Sequence, residues 1–495
     1  MIETKHFAAS TERSGHEHRH DQNRFAVIPT PVRLDADERY RGRNVTIAFL
    51  DSGFYPHRDL ASPKNRIIAY KDITGEEPTL DARSPARGWQ WHGTQTAVAA
   101  AGNGNLSDGI YRGLASEANV VLVKVGSKGR ITEENIERGL RWVIESQRRF
   151  DIRIISISLG GNEDIPCTKS IIDLAAEEAV ESGMLVVAAA GNNGCSDKHT
   201  SVPPANSPSV ITVGGYNDNN QLQGGAFDLY CSNYGETADG ITKPEIIAPA
   251  MWVAAPILPN ASLYKTAQNL SRIASAPDYE LSGMARAFWQ ETGLSESLQY
   301  ERPEKIRAEI EALLIQNKII SAHYQHVDGT SFAAPIVSSV VAQMLEANPR
   351  LSPAAVRNIL VSTADRITHA PAIRQGYGRL NARRAVRMAQ LETHALSAAD
   401  GFGPPRIKKD KLVFFYHHDD ARTVSVAGDF NDWDAEMTPL RREPDGIWGA
   451  EIDAPPAGRY RYKFIVNGEY WLDDPHNGFK ESDGFGGFNS ILNAV

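Results

Sequence analysis

The sequence predicts an α/β protein in which a doubly wound, mostly parallel sheet is followed by a small antiparallel β-sandwich. Two observations carry this prediction. Between residues 45 and 215, short apolar runs alternate with stretches of helical hydrophobic periodicity, a pattern typical of parallel sheets covered by helices on both faces. After residue 405, the pattern changes to short alternating strands separated by turn residues, as expected of a sandwich.

Length and composition limit the classes of function. A chain of 495 residues is too long for one ordinary core, so two or three domains are expected. The net charge of −9 argues against nonspecific nucleic-acid binding, and no apolar run approaches the about 20 residues that span a bilayer. The start of the chain has no secretory pattern, and three cysteines do not make a disulfide framework. We therefore expect a reducing, cytoplasmic setting.

The predicted sheet is built from five apolar runs, most of them joined by helices. The helix at 134–147 places Ile136, Leu140 and Val143 on one face, and Gly183 closes the helix that begins at residue 170. The predicted strands are 45–50, 118–125, 153–161, 184–192 and 209–215, and the predicted helices are 94–101, 134–147, 170–183 and 331–345.

Four polar side chains stand at strand ends or helix starts, where functional groups gather in open α/β sheets. Asp51 ends the first strand, His92 opens an alanine-rich helix, and Asn192 follows three alanines and a glycine. Ser331 begins a helix of small residues, where free N–H groups favour negative charge. Each alone is more commonly a turn or cap residue. Together, an acid, a base and a nucleophile in this setting indicate covalent catalysis.

Four segments resemble the motifs of the subtilisin-like serine proteases: DSG at 51–53, HGT at 92–94, AAAGN at 188–192 and GTSFAAP at 329–335. Their order along the chain is that of the family, and the similarity covers about residues 40–390. The resemblance implies that Ser331 attacks the scissile carbonyl, with His92 as general base and Asp51 orienting it. It also implies an oxyanion hole formed by the Asn192 amide and the Ser331 N–H. No cofactor is expected for catalysis.

The resemblance further implies where a peptide substrate binds. One segment is expected to pair with the extended substrate backbone, and a second joins it in walling the pocket for the side chain before the scissile bond. The walls are small and uncharged, so we expect a large apolar or aromatic side chain there. The expected substrate-binding residues are Ser158, Leu159, Gly160, Ala189, Ala190 and Gly191.

The chain departs from the family pattern mainly between Pro249 and Asp328, where it has many more residues than the family usually has. Apolar positions after Pro303 predict one helix, and residues 280–291 predict a second. We infer a helical insertion over about residues 262–320. It caps the leaving-group side of the cleft or makes an oligomer contact, unless it is a surface hairpin without a role in catalysis.

Residues 1–40 are predicted to be an N-terminal extension. The apolar, proline-broken segment 25–34 is expected to be extended, and it either lies in the cleft as an inhibitory arm or packs on the surface. The resemblance also implies a structural calcium ion. Asp59 matches an aspartate that binds calcium in many family members, and Asn105 and Asp108 offer further oxygen ligands.

A small-residue linker at 396–405 leads to a predicted domain at 406–495. Its segments AGDFNDWD, YKFIVNGEYWLDDP and GFGGFNSILNAV resemble the immunoglobulin-like glycogen-binding modules of the AMP-activated kinase beta-subunit and of branching enzymes. Aromatic faces suit sugar rings, and lysine and asparagine suit their hydroxyls. The residues that match the glucan site of these modules are Trp433, Lys463, Trp471, Phe485 and Asn489. The alternative is a sandwich whose tryptophans are core residues and which only docks on the protease.

The sequence as a whole predicts a serine endopeptidase domain at 41–395 that acts on proteins or peptides and is held on α-glucan, such as glycogen, by its C-terminal module. Neither nucleic acid nor a membrane is expected as a partner. The alternative hypothesis is an inactive protease fold that serves as a scaffold for glucan or protein partners. A glucan-modifying enzyme is a third hypothesis, but no segment resembles a glycosidase core.

Overall fold

The computed structural model describes most of the chain. The described residues are 27–127, 130–161, 163–195, 200–222, 227–391, 404–408, 410–418, 421–443, 447–477, 480–484 and 487–494. Three of the predictions above therefore lie wholly or largely outside them: the first 26 residues, most of the linker at 396–405, and Phe485. Among the helices that the structure describes, none is long and apolar enough to cross a lipid bilayer.

The first part of the chain forms an α/β domain. Its strands are Thr46–Asp51 (β1), Ile67–Asp72 (β2), Asn119–Lys124 (β3), Gly126–Ser127 (β4), Arg130–Ile131 (β5), Ile152–Ile157 (β6), Leu185–Ala189 (β7), Ile211–Asn217 (β8), Asp228–Leu229 (β9), Gly235–Glu236 (β10), Thr242–Lys243 (β11), Ile246–Pro249 (β12), Val253–Pro256 (β13), Ile319–Ser321 (β14) and Tyr324–Val327 (β15). Its helices are Thr30–Arg33 (α1), Arg58–Ala61 (α2), Trp91–Ala101 (α3), Glu133–Phe150 (α4), Ile171–Glu181 (α5), Ser262–Ala274 (α6), Asp278–Thr292 (α7), Pro303–Gln316 (α8), Thr330–Ala347 (α9), Pro353–Thr363 (α10), Ala372–Gln375 (α11) and Ala382–Leu391 (α12).

The central sheet has the strand order β12-β8-β7-β6-β1-β3-β2, with the short β9 pairing antiparallel to β8. All the pairs along this path are parallel. After β1, the chain forms β2 and β3 on one side of β1 and later forms β6, β7, β8 and β12 on its other side. The strand order therefore reverses between β1 and β6, and in doubly wound sheets ligands bind at such a reversal. The predicted fold class is confirmed.

Side chains of β1 alternate between the two faces of the sheet, and every residue of the strand is buried. Ile47 and Phe49 pack with α3 and α9, whereas Ala48 and Leu50 pack with α4 and α5. The small residues of α9 let this helix lie directly on the sheet. Between Thr330 and Leu345 every side chain of α9 is buried except that of Ser331.

The predicted insertion is helical, but it contains three helices, because α6 precedes the two that were predicted. The three helices share their own apolar core, which includes Leu270, Leu281, Ile306 and Ile310. The insertion leaves and rejoins the domain through the antiparallel pair of β13 and β15. Gln95 of α3 donates from Nε2 to the Pro256 carbonyl at 2.8 Å, so the base of the insertion packs against the helix that carries His92.

The described part of the N-terminal arm packs on the surface of the α/β domain. The extended conformation expected for residues 25–34 is wrong for Thr30–Arg33, which form the short helix α1. The Pro29 carbonyl accepts the Val32 and Arg33 N–H groups and closes this turn. The Arg33 guanidinium makes two hydrogen bonds to Asp218, of 2.7 and 2.8 Å, and others to the Met251 and Trp252 carbonyls. This buried guanidinium holds the arm against the segment after β8 and the segment between β12 and β13.

The C-terminal part is an antiparallel sandwich. Its strands are Arg406–Lys408 (β16), Lys411–His417 (β17), Val424–Gly428 (β18), Arg441–Arg442 (β19), Ile447–Asp453 (β20), Gly458–Val466 (β21), Tyr470–Leu472 (β22), Lys480–Ser482 (β23) and Phe488–Ala494 (β24). One sheet has the order β16-β17-β20-β19, and the other has the order β18-β21-β24-β23 with β22 paired to β21. Phe414 and Tyr416 from the first sheet meet Tyr462 and Phe464 from the second in the core.

Cys195 and Cys231 form a disulfide bond across 36 residues, with their Cα atoms 4.7 Å apart. The expectation that the three cysteines do not make disulfide bonds of the fold is therefore wrong for this pair, and Cys167 is the free, buried cysteine. The two cysteines are distant in sequence, but their loops follow β7 and β9, which both pair with β8. The Gly194 N–H donates to the Cys231 carbonyl at 2.9 Å. Closing a loop of this length stabilises a fold by about 3–4 kcal/mol.

This disulfide predicts the thiol content of the purified protein. Denatured without reduction, the chain should react with one equivalent of a thiol reagent, at Cys167, and after reduction with three. Cys195→Ser should raise the unreduced value to two by releasing Cys231. A value of three before reduction would contradict the disulfide. Alkylation of the protein directly on breaking the cells shows whether Cys195 and Cys231 are bonded in the native compartment.

Candidate functional site

The Asp51 carboxylate and the His92 imidazole lie together at the end of β1. His92 Nδ1 is 2.8 Å from Asp51 Oδ1 and 3.0 Å from Oδ2. Asp51 is 1% exposed, and its Oδ1 also accepts the Ser52 N–H at 2.7 Å and the Ser52 hydroxyl at 3.1 Å. Because an ionised carboxylate only accepts hydrogen bonds, His92 donates from Nδ1, and its Nε2 is left as a base.

Gly93 allows the start of α3 to lie close to the end of β1. A Cβ atom at this position would lie 2.4 Å from the Gly53 carbonyl oxygen and 2.8 Å from Asp51 Cβ. Any other residue would push the start of α3 away from β1. The glycine that follows His92 thus sets the distance between the imidazole and the carboxylate.

The pKa of His92 lies above its ordinary value of 6.5. Burial of the imidazole by itself lowers the pKa, because the charged form loses hydration. The neighbouring charge of Asp51 and the hydrogen bond to it outweigh burial. The side chain of His92 nevertheless remains 23% exposed, so a substrate can reach Nε2.

Ser331 stands in the first turn of α9, where Pro335 changes the hydrogen bonding of the helix. Pro335 has no N–H, so the Ser331 carbonyl lacks its usual helical donor. The Ser158 hydroxyl donates to that carbonyl instead, at 2.8 Å. The Ser331 hydroxyl in turn lies 3.5 Å from the Ser158 carbonyl rather than on the His92 ring, and contacts of this kind are commonly loose before substrate binds.

The amide of Asn192 is fixed in one orientation. Its Oδ1 accepts the Thr330 N–H at 2.9 Å and the Thr330 hydroxyl at 3.0 Å, and that hydroxyl also accepts the Gly191 N–H at 3.2 Å. Oδ1 therefore faces the protein, and Nδ2 faces away from Thr330. Asn192 is exposed, so its N–H groups are accessible to a ligand.

The predicted substrate-binding segments lie on neighbouring strands. Ser158, Leu159 and Gly160 follow β6, whereas Ala189, Ala190 and Gly191 end β7 and begin its loop. The sequence did not reveal what supports the first segment. The Gly161 N–H donates to the Pro203 carbonyl at 2.7 Å, and a Cβ on Gly160 would lie 3.2 Å from Val202, so the loop at 202–203 backs this strand.

The expected calcium ligands lie on two segments that contact each other. Asp59 is fully buried, and its two oxygens accept the Leu106 N–H at 3.3 Å and the Tyr324 hydroxyl at 2.6 Å. Within the described chain, Asn105 Oδ1 is buried without a hydrogen-bond partner, which fits an oxygen-ligand site beside Asp59. Asp108 is exposed. A calcium ion at Asp59, Asn105 and Asp108 stays a prediction.

A second candidate site lies on the C-terminal sandwich. Its cleft has a volume of about 570 Å³ and is lined by Trp433, Arg461, Lys463, Trp471, Asp483 and Asn489. The two indole rings lie 6.4 Å apart with their planes 28° from parallel. Trp471 is 42% exposed, and the sandwich core contains Trp448 instead of either ring. Four of the five predicted residues therefore line one cleft, and the fifth, Phe485, lies outside the described residues.

Two residues that line this cleft, Arg461 and Asp483, were not predicted, and neither was Asp429, which contacts Trp433 and Arg461. Asp429 Oδ1 accepts the Trp433 indole N–H at 2.9 Å, and Asp429 also holds the Arg461 guanidinium at 3.0 Å. Asp483 pairs with Lys463 at 2.6 Å. Asp429 precedes Trp433 by four residues in GDFNDW, but only the left-handed backbone of Trp433, with φ of 60°, brings the indole back onto it.

Comparisons with known protein families find one match for the α/β domain and another for the C-terminal sandwich. Residues 42–378 match the model of the subtilase family, and residues 401–477 match carbohydrate-binding module 48 (isoamylase N-terminal domain). Asp483 and Asn489 lie beyond the second match.

Two relatives come from Bacillus subtilis (strain 168). The serine protease AprX is 31% identical over 359 residues, covering 70% of this chain and 66% of AprX. The major intracellular serine protease is 39% identical over 180 residues, covering 35% of this chain and 51% of the relative. The chain thus spans from about half to two thirds of these curated relatives. A solved protease structure from Pseudoalteromonas arctica PAMC 21717 is 23% identical, covers 75% of this chain and 96% of its own, and has a TM-score of 0.49.

The contact between His92 and Asp51 predicts how the imidazole titrates. In NMR spectra recorded against pH, the His92 ring should titrate above pH 6.5, the ordinary value, and remain protonated below that point. Asp51→Asn removes the negative charge but leaves the burial, so the pKa of His92 should fall. Asp365→Asn, a carboxylate remote from His92, serves as the matched control. An unchanged His92 titration in Asp51→Asn would contradict the assigned contact.

Proposed function

From the premise that this chain belongs to the subtilase family, we propose that it is a serine endopeptidase whose C-terminal module holds it on α-glucan. The observation that carries the proposal is the Asp51–His92 pair at the strand reversal, whose imidazole ring lies 6.1 Å from the ring of Phe332, the residue after Ser331. A buried carboxylate fixes one nitrogen of the imidazole, while the other nitrogen stays accessible. That is the arrangement required of a general base next to a serine nucleophile.

In the proposed acylation step, Ser331 Oγ attacks the carbonyl carbon of the scissile bond while His92 Nε2 takes its proton. Asp51 stabilises the imidazolium that forms, as the raised pKa of His92 reflects. The tetrahedral intermediate collapses, His92 gives the proton to the leaving amine, and the acyl group remains on Ser331. A water molecule then repeats the sequence with His92 as base and releases the acid.

The negative charge of the intermediate develops on the former carbonyl oxygen, where two donors support it. The Ser331 N–H is at the start of α9 and is free of helical partners. The Asn192 amide supplies the second donor, and its Oδ1 contacts with Thr330 aim Nδ2 outward. Loss of one such donor costs on the order of 10²–10³ in kcat.

Specificity before the scissile bond is proposed to favour a large apolar or aromatic side chain. Support comes from the wall residues, which are alanine and glycine on the side of β7. The extended substrate would add as a strand beside Ser158, Leu159 and Gly160. Because the Ser158 hydroxyl is bonded to the Ser331 carbonyl, the substrate strand and the nucleophile would be held in register.

Glucan binding is proposed for the cleft that contains Trp433 and Trp471. The exposed indole of Trp471 and the half-buried indole of Trp433, beside a lysine and an asparagine, fit sugar rings and hydroxyls. The match to a carbohydrate-binding module supports the same chemistry. The module would raise the local concentration of the peptidase at proteins bound to the same glucan particle.

We also propose a cytoplasmic location. It is supported by the similarity to two proteins named intracellular serine proteases, from Bacillus subtilis and Paenibacillus polymyxa. In a reducing compartment, Cys195 and Cys231 would be held as thiols, so their state in cell extracts tests the location independently of activity.

The peptidase proposal predicts that hydrolysis depends on Ser331. The wild type should cleave fluorogenic peptides with an apolar or aromatic residue before the bond, and Ser331→Ala should lose at least about 10³-fold in kcat/KM. Ser362→Ala, a helical serine remote from the cleft, should keep wild-type activity. A wild type that cleaves no peptide would favour the inactive scaffold, and equal rates in Ser331→Ala would refute the assigned nucleophile.

The glucan proposal predicts retardation in native gels that contain glycogen. Full-length Ser331→Ala protein, used to prevent self-digestion, should be slowed, and adding Trp471→Ala should weaken binding roughly tenfold or more, about 1.4 kcal/mol. Tyr470→Ala is the matched control, because Tyr470 is an exposed aromatic residue next to Trp471 in β22 but is not part of the cleft. Equal mobility with and without glycogen would remove the glucan hypothesis.

A further inference from the structure

The loop that carries Asn192 is fastened from one side by a neighbouring segment, Tyr230–Asn233. The Asn233 N–H donates to the Gly191 carbonyl at 3.1 Å, and the Gly194 N–H donates to the Cys231 carbonyl at 2.9 Å. The disulfide between Cys195 and Cys231 closes the same contact covalently. This segment lies after β9 and does not contribute to the predicted catalytic residues.

Within this segment, the Asn233 side chain contacts the residue that follows Asn192. Its Oδ1 accepts the Asn193 N–H at 2.8 Å, and its Nδ2 donates to the Thr200 carbonyl at 3.0 Å. Asn233 is only 5% exposed. Together with its backbone N–H, Asn233 therefore holds both residues that flank Asn192 in sequence.

Gly191 leaves the space that Asn233 fills. It has φ of +103°, and a Cβ at this position would lie 2.7 Å from Asn233 Nδ2. A side chain at Gly191 would be strained by this backbone conformation and would also displace the Asn233 amide. The Gly191 backbone and the Asn233 side chain thus fit each other at the base of the loop.

The division of contacts around Asn192 explains why this matters. Its side chain is oriented by Thr330 from the α9 side, and the Thr330 hydroxyl also accepts the Gly191 N–H. The Gly191 carbonyl and the Asn193 N–H are held instead by Asn233. A donor to an oxyanion must lie about 2.7–3.1 Å from it, and a displacement of about 1 Å costs on the order of 10² in rate. Thr330 can fix the amide plane only if the loop backbone stays in place.

We propose that Asn233 is a positioning residue that holds the Asn192 amide at the oxyanion. This inference rests on the proposed peptidase function. Asn233 touches neither substrate nor the reacting atoms, so its effect passes through Asn192. The effect should appear in kcat, because the oxyanion forms in the transition state, and hardly in KM.

A double-mutant cycle tests this role in the full-length protein. Asn233→Ala should lower kcat for a fluorogenic peptide by roughly 10–100-fold with KM changed less than about threefold. In an Asn192→Ala background, where the amide donor is already absent, the same substitution should cost less than about threefold. Equal losses in both backgrounds would mean that Asn233 supports the fold generally and would overturn the inference.

Two further variants separate positioning from folding. Asn233→Asp keeps an acceptor for the Asn193 N–H, so it should retain more kcat than Asn233→Ala. If the Asn233→Ala protein does not fold, Asn233→Asp takes its place in the double-mutant cycle. Asn348 follows the C-terminal end of α9, and its buried amide donates to the Ala389 carbonyl. Asn348→Ala, which removes this amide, should leave kcat unchanged. Retention of less kcat in Asn233→Asp than in Asn233→Ala would contradict the role of the Asn193 contact. A wild type without peptidase activity would overturn the proposed function and this inference with it.

Discussion

The buried Asp51 carboxylate is the constraint on which the rest of the site depends. A negative charge taken out of water must be compensated by donors. Here they are the N–H and hydroxyl of Ser52, the imidazole of His92 and, at 3.4 Å, the hydroxyl of Thr96. The carboxylate is held at the reversal of strand order because it ends β1, which is buried between β3 and β6. To reach it, α3 must approach β1 closely, and Gly93 provides that room. The position and the tautomer of His92 both follow from this one charge.

A second constraint arises from a missing hydrogen bond. Pro335 leaves the Ser331 carbonyl without its helical donor, and the Ser158 hydroxyl takes that place. The helix that bears Ser331, the proposed nucleophile, is thereby joined to the strand proposed to bind substrate. On the opposite side, Thr330 joins the same helix to the Asn192 loop. The first turn of α9 therefore connects the proposed substrate strand to the Asn192 loop.

Much of this architecture could be predicted from the sequence, because periodicity and short motifs are local properties. The alternation of apolar runs predicted the parallel sheet. The motifs DSG and HGT identified Asp51 and His92, which are in contact, and AAAGN and GTSFAAP identified two segments that are joined by hydrogen bonds between Asn192 and Thr330. Contacts between distant segments could not be predicted in this way. The pairing of Cys195 with Cys231, the Arg33–Asp218 fork and the contact of Asn233 with the Asn192 loop all depend on how strands and loops are ordered in space. Helix α6 was missed, and Asp429 was missed because a left-handed turn brings Trp433 back onto it.

The most direct test of the central claim, that Ser331 is an activated nucleophile, is covalent labelling with a fluorophosphonate followed by mapping of the modified peptide. A fluorophosphonate needs an activated hydroxyl and an oxyanion site but no particular substrate sequence. Wild-type protein should carry one label per chain on the peptide that contains Ser331, and Ser331→Ala should carry none. An unlabelled wild type, or a label on another serine with Ser331 unmodified, would contradict the account.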